Sequence, residues 1–531
     1  MRKSIYEYSD YNGGEHFNTQ VVVIGTGCGG ASVAKKLSDQ GIDVILLEQG
    51  GYYPSSKMDQ NELNMAGKLY GERSFATSHD AGNVLAYGNN VGGASVHYWA
   101  DSYRTPPEKI QRWRDHFQIE GHDTEDLNPA FEEIEAELNI HQADDSLFNT
   151  MNSKLRSATE ALNWHAHRVP QARKNCLKSG HCMQGCRYDA KQSQLVTHIP
   201  KALKNGAKLF ADARAGKLIH SKGKVTGLEV GIMDRASNKL SGKYFTISAT
   251  SIVVAAGGFN SSFYLMQQTF ASTLPALGKY FSMNPSTIVH AMFDEDITQW
   301  RNIPAAWGVD EYRIRTHQIQ ATKDQNADNY TEGGYLLMPN QLHPAALAAT
   351  IPGIGKDHRE WMKNLNQVGG TIAWMDDIEE ELGEIRVKDD GHREVFYEYG
   401  PLTKKVLKDG IKKQVLVNFQ AGAKKVLVAG IQAITFESAD QIDKLEELKF
   451  EAGGLFMASP HPGGGCRMGR SIESSVVDSK HRVHGFENLF VADSSVFPTS
   501  SSLDPSLTIM AFSYIAANHI AQYINSSEVD A

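Results

Sequence analysis

Residues 21–30 read VVVIGTGCGG, and Glu48 follows at the end of DVILLEQG. Gly25, Gly27 and Gly30 fit the G-x-G-x-x-G spacing, with Cys28 and Gly29 between them. In such a turn the first glycine permits the sharp bend and the second lets the backbone approach a pyrophosphate. The third lets helix and strand pack closely. A carboxylate at Glu48 can accept hydrogen bonds from both hydroxyls of an adenosine ribose and disfavours a 2′-phosphate, which leaves NAD or FAD. A second group of reactive side chains lies in NCLKSGHCMQGC (175–186), where Cys176, Cys182 and Cys186 follow a C-x5-C-x3-C spacing. Thiolates this close suit an iron–sulfur cluster or zinc.

A strand must end at Gly25 and a helix begin behind it if those glycines are to face a ligand. Gln20–Ile24 is a β-branched run suited to a buried parallel strand. Ala31, Ala34 and Leu37 recur at helical spacing, Gly41 stops the helix, and Val44–Leu47 forms the next strand, with Glu48 at its end.

The chain has 531 residues, more than one hydrophobic core usually serves, so two or three lobes are expected. A net charge of −9 argues against nucleic acid as a partner. MRKSIYEYSDYNGGEHF, at the start, has no apolar stretch behind its basic residues and does not read as a secretory signal. No apolar run is long enough to span a membrane. Five cysteines, an odd number, do not suggest a disulfide framework, and the cytoplasm is the default location. Cys28 and Cys466 read as small packing residues in glycine-rich loops. The acidic patch Asp376–Glu381 reads as solvated surface.

HPGGGCRMG (461–469) and the later LFVADSSVFPTSSSLDPSLTIMAFSYIAANHI resemble the glucose–methanol–choline (GMC) family of FAD oxidoreductases. YGNNVGGASVHYW (87–99), SIVVAAGGFNSS (251–262) and GEIRVKDDGHREVFYEYG (383–400) extend the resemblance over most of the chain, in the family's order. It implies an α/β fold: a discontinuous three-layer Rossmann-like FAD-binding domain with an inserted substrate-binding domain built on an antiparallel sheet. The FAD-binding domain is expected over 15–125, 195–292 and 450–531, a connecting segment with the cysteine loop over 126–194, and the substrate domain over 293–449.

Several site residues follow from the resemblance. Gly88, Asn89, Asn90, Val91, Gly92, Gly93 and Ser95 would run along the pyrophosphate and flavin edge. Ala215 and Ala256 would also contact FAD, and Ala492 and Asp493 would lie beside the ribityl and pyrophosphate. Pro505, Leu507 and Thr508 would open a helix whose amides face the flavin pyrimidine. His97 matches the position where some relatives, such as choline oxidase, attach the flavin C8α methyl to histidine.

The implied reaction oxidises an alcohol or sugar CH–OH group, with hydride passing to flavin N5 and His461, at the family's catalytic position, taking the hydroxyl proton. Asp504 departs from the family, which usually has Asn or His before that proline. Three placements are open: a hydrogen bond to His461 as in a triad, a bond to a second substrate hydroxyl, or an N-cap of the following helix. The cysteine spacing resembles that of membrane-linked GMC dehydrogenases, where a 3Fe-4S cluster passes electrons to a cytochrome subunit. This favours a dehydrogenase with a non-oxygen acceptor and allows a periplasmic location by co-export with a signal-bearing partner. An oxidase, a non-redox lyase and an inactive flavin-binding scaffold are the alternatives. The region 295–380, including WRNIPAAWGVDEYRIRTH and GGYLLMPNQLHPAALAATIPG, would form the pocket walls, while His343 and Trp307 read as core or surface.

Overall fold

The computed structural model describes residues 3–313, 333–431 and 433–529. The end of the WRNIPAAWGVDEYRIRTH segment lies outside the described residues. Strand β1 (His16–Ile24), helix α1 (Cys28–Asp39) and strand β2 (Val44–Leu47) form the first βαβ unit. Val21 and Val23 enter one core cluster while Val22 and Ile24 enter another, so both faces of β1 are buried and the run carries no polar alternation. Helix α1 lays Ala31, Ala34 and Leu37 on the sheet, and Gly41, at φ +79°, turns the chain out of it.

Strand β3 (Lys208–Phe210) adds to β2 in parallel, and a meander of β4 (Ala213–Ser221), β5 (Lys224–Asp234) and β6 (Lys239–Val254) follows. The first half of β6 pairs antiparallel with β5, and its last half runs parallel with β1. This 16-residue strand therefore joins the parallel sheet to an antiparallel layer. Leu489–Val491 returns late in the chain to lie parallel to β6.

The second sheet is antiparallel. Strands β7 (Ser286–Met292), β8 (Tyr335–Pro339), β9 (Val368–Met375) and β10 (Lys425–Val428) take the order β10–β7–β9–β8. Val289, Ala291, Leu337, Ala373 and Met375 face helix α2 (Pro401–Gln420), which contributes Val406, Ile411 and Val415. Ile288, Ile372 and Trp374 occupy the opposite face and look toward the first domain. Helix α3 (Ser506–Val529) then packs Ala516, Ala517 and Ile520 into the core that holds α1.

Two sequence expectations need correction. The boundaries at 292 and 450 cut through the antiparallel sheet, because both β7 and Met457–Ser459 pair within it. These strands return without a change in composition that would mark them. The acidic patch is only partly solvated: Asp376 and Asp377 are buried, while Glu380 is exposed. Asp376 pairs with Lys109 and accepts from Ser500 and Ser502, while Glu379 pairs with Arg112. Asp377 accepts backbone N–H groups of Met283 and Asn284 at 2.9 and 2.7 Å and the Tyr397 hydroxyl at 2.7 Å. Burial lifts its carboxyl to about 6. The charge run serves as a hydrogen-bonded seam between lobes.

Candidate active site

The two lobes enclose a cavity of about 930 Å³. At one end the turn from β1 into α1 forms its floor. Gly25 sits at φ +104°, and a Cβ there would come within 2.1 Å of Ala255 O. Cβ atoms on Gly29 and Gly30 would strike Ala492 O at 1.9 Å and Gly25 O at 2.0 Å. Gly27 differs, because its Cβ would meet only Gly93 Cα, at 3.9 Å, and the residue lines the cavity. Three glycines are thus demanded by the protein itself, and the fourth leaves backbone facing open space at the start of α1. That geometry suits a pyrophosphate.

Glu48 lines the same end. It accepts from Thr26 Oγ1 at 2.7 Å and from Gly50 N at 2.9 Å, and burial lifts its carboxyl to about 7. Gly88, Gly93, Ser95, His97, Ala215, Ala256 and Asp493 also line the cavity, as do Cys28, Gly29 and Pro505. Asp493 is already occupied by Gly257 N and Ser495 N at 2.8 Å and by Ser261 Oγ at 2.5 Å, so it acts by shaping the loop. His97 stacks on Tyr70 with centroids 3.9 Å apart, and its buried Nε2 has no partner among the described residues. Burial, helped by the Lys191 charge, lowers its ring to about 3, so it is neutral.

Other expected cofactor residues lie behind the wall. Gly30, Val91 and Ala492 are packing residues of the core, Leu507 is buried in the opposite cluster, and Gly92 is not among the lining residues. The Thr508 hydroxyl is turned to Thr105 Oγ1 at 2.8 Å, so Pro505, Ser506 and Ile509 carry the α3 end to the cavity instead. Asn89 and Asn90 stand outside the lining, each with a buried Oδ1 lacking a partner among the described residues; Asn90 Nδ2 donates to Leu69 O at 2.8 Å.

His461 and Asp504 meet at the other end, with Nε2 3.1 Å from Oδ1. Of the three placements open for Asp504, the structure holds the contact with His461; among the described residues its carboxylate takes no amide of α3. The Trp374 ring lies against the imidazole at 4.9 Å. On the far side, His461 Nδ1 is 2.8 Å from Asn284 Oδ1, and Asn284 Nδ2 donates to Met375 O at 2.6 Å. A backbone carbonyl accepts only, so the amide orientation is settled, and Asn284 presents its oxygen to the ring. Nδ1 therefore carries hydrogen, and Nε2 is the basic nitrogen of the neutral imidazole.

The cysteine loop does not form the expected cluster site. Among the described residues no three His, Cys, Asp or Glu side chains are arranged to hold a metal ion. Cys182 Sγ accepts from Arg173 Nη1 at 3.4 Å, and Cys186 Sγ accepts from Lys191 N at 3.5 Å. Burial would push the Cys182 thiol up, but the charges of Arg173 and Lys191 outweigh it and hold it low. Cys182 thus partners the buried Arg173 cation and Cys186 a backbone amide, while Lys191 Nζ donates to Val96 O, Tyr98 O and Cys182 O, pinning the chain around His97. Cys466 is fully buried in a core cluster. His343 reaches Gly180 O, and Trp307 donates to Thr159; neither lines the cavity.

Sequence reasoning missed Asn284. Its Asn-Pro dipeptide marks a turn, which the φ of +46° reflects, but nothing local pairs it with an imidazole far along the chain.

Comparison with known proteins identifies the family and the fold. The GMC oxidoreductase N-terminal and C-terminal domains match residues 45–286 and 397–513. An uncharacterized GMC-type oxidoreductase of Mycobacterium tuberculosis is 25% identical, covering 94% of this chain and 75% of its own. A long-chain-alcohol oxidase of Arabidopsis thaliana is 24% identical over 95% of this chain and 67% of its own. A cholesterol oxidase of Acinetobacter baumannii is 23% identical over 95% of each. Pyridoxine 4-oxidase from Mesorbium loti shares the fold at TM-score 0.69 and 15% identity, covering 94% of this chain and 99% of that one. A formate oxidase does so at 0.72 and 13%, covering 98% and 100%. With the glycine turn, the cavity and the oriented imidazole in place, this chain belongs to the GMC oxidoreductase family.

Proposed function

We propose that the protein oxidises the CH–OH group of a small-molecule alcohol to a carbonyl, with His461 as the base and FAD bound along the cavity. The observation that carries this reading is the Nδ1–H bond to Asn284, which leaves Nε2 as the basic nitrogen at the cavity end opposite the glycine turn. Gly27, Gly93, Glu48 and the amides opening α1 would hold the cofactor's phosphates and ribose. When bound, FAD supplies the acceptor for the hydride that leaves the alcohol carbon.

The protein supplies the proton half of the reaction. Nε2 accepts the hydroxyl proton, and a neutral imidazole suits that step near pH 7. Asp504 Oδ1 lies 3.1 Å from Nε2, so its charge stabilises the imidazolium formed as the substrate hydroxyl ionises. Trp374, Trp99, Ile288 and Ile372 line the cavity and exclude water there.

For the electron acceptor, the cysteine loop was the argument for a separate carrier. With Cys182 and Cys186 engaged by Arg173 and Lys191, and with relatives named as oxidases, molecular oxygen is the acceptor we favour. Anaerobic addition of an alcohol panel to the flavin-loaded protein should bleach the flavin's long-wavelength band, and air should restore it within seconds. Return of colour only with an artificial acceptor would restore the dehydrogenase reading. No bleaching by any alcohol would sink both, and aldehyde-plus-cyanide formation would then point to a lyase.

A further inference from the structure

One face of the antiparallel sheet roofs the cavity beyond His461. Ser286 and Ile288 of β7, Ile372 and Trp374 of β9, and Leu342 line it, and strand alternation puts the β7 and β9 side chains on one face. This surface is apolar except at Ser286 and Asn340. Ser286 is satisfied, since its Oγ donates to Ala458 O at 2.7 Å. Asn340 is not: it is fully buried, lines the cavity, and among the described residues neither Oδ1 nor Nδ2 has a hydrogen-bond partner.

The strand register locates this amide. Asn340 N donates to Gly370 O at 3.0 Å. Gly370 and Trp374 lie on the same strand, a rise of roughly 13 Å apart at about 3.3 Å per residue, and Trp374 rests against His461. The far end of the roof therefore carries an unpaired amide, roughly 13 Å along the sheet from Trp374, with an apolar stretch between. Burying a carboxamide with no partner is costly unless a ligand supplies one. A hexose is too short to reach from one end to the other, and a plain hydrocarbon tail would leave the amide orphaned.

Resting on the alcohol-oxidation reading above, we propose that the substrate is an alcohol with an apolar body and a second hydroxyl at its far end. Asn340 binds that second hydroxyl, since a carboxamide both donates to and accepts from it. The oxidised hydroxyl lies at His461, and the body lies along Ile288, Ile372, Leu342 and Trp374.

The test compares octanediol, with hydroxyls at both ends, against octanol on the flavin-loaded protein. Binding is read from perturbation of the flavin spectrum and turnover from its bleaching under nitrogen. Wild type should bind the diol at least about tenfold more tightly than octanol. Asn340→Leu should abolish the difference by weakening the diol and leaving octanol as tight or tighter. Asn340→Ala removes donor and acceptor without added bulk, so it should also reduce the preference and decides the matter if the leucine variant does not fold. Equal binding of the two alcohols by wild type, or a preference surviving both substitutions, would overturn the proposal. Preferential binding of the diol without bleaching would instead overturn the alcohol-oxidation reading and leave the role of Asn340 standing.

Discussion

Asn284 orients the His461 imidazole and does not itself line the cavity. Its amide is locked by Met375 O, and its backbone by Asp377, so its oxygen cannot turn away from His461. Asn284→Leu should leave flavin content unchanged and slow anaerobic flavin reduction by about 10- to 100-fold, the range seen when an orienting partner is removed. A rate within twofold of wild type would mean that the ring is held otherwise. Asp504 lies against Nε2 instead, where a carboxylate stabilises the imidazolium formed when the hydroxyl proton is taken, so Asp504→Asn should slow anaerobic flavin reduction with flavin content unchanged. A rate equal to wild type would exclude Asp504 from the proton step. Glu48 acts on stability. Its carboxyl is raised from 4.5 to about 7 in the folded flavin-free protein, so between these values the folded state holds a proton that the unfolded state has lost. Stability of the flavin-free protein should therefore fall as pH rises through that window. Glu48→Gln should flatten the slope in denaturant titrations; an identical slope would place the effect elsewhere.

The turn between β1 and α1 separates two uses of glycine within one element. Gly25 has both a positive φ and a carbonyl where a Cβ would sit, so Gly25→Ala should cost several kcal/mol, about 3 or more, and lower the melting temperature even without flavin. Gly27→Ala meets only Gly93 at 3.9 Å and should leave the melting temperature of the flavin-free protein nearly unchanged while lowering bound flavin per chain. If both variants lost flavin and stability alike, the division of roles would fail. The spacing of these glycines was legible because the motif is local: strand, turn and helix start are consecutive in the chain. The cysteine loop shows the limit of such reading. Its spacing suits a cluster, yet whether three sulfurs converge depends on what packs against them, and here Arg173 and Lys191 do.

At the scale of the whole molecule, the lobes are tied by buried polar contacts as well as apolar ones. Lys109 lies on the helix spanning Pro107–Phe117, Asp376 follows β9, and Ser500 and Ser502 belong to the segment leading to Asp504. All four are buried. Removing one partner of a buried pair leaves an uncompensated charge, so Lys109→Met should destabilise the protein by about 3–5 kcal/mol. Adding Asp376→Leu should recover much of that loss in denaturant titrations. Because Asp376 also holds the segment before Asp504, the single variant should slow flavin reduction more than it lowers flavin content. A stability change under about 1 kcal/mol would show that the pair is dispensable.

By itself the amino-acid sequence determined the glycine turn and its strand–helix–strand unit, which are written in short-range spacing where backbone sterics leave little choice. The two kinds of sheet and the importance of His461 and Asp504 were legible only through the resemblance of separated motifs to a family. Only the tertiary structure decided the rest. It joined Asn284 to His461, buried the acidic run at Asp376, moved β7 into the antiparallel sheet and left Asn340 unpaired in the cavity wall. The physical reason is common to all four. Hydrogen-bond partners and burial are properties of surfaces brought together from distant parts of the chain, and a residue's type and neighbours do not reveal which surface it will meet.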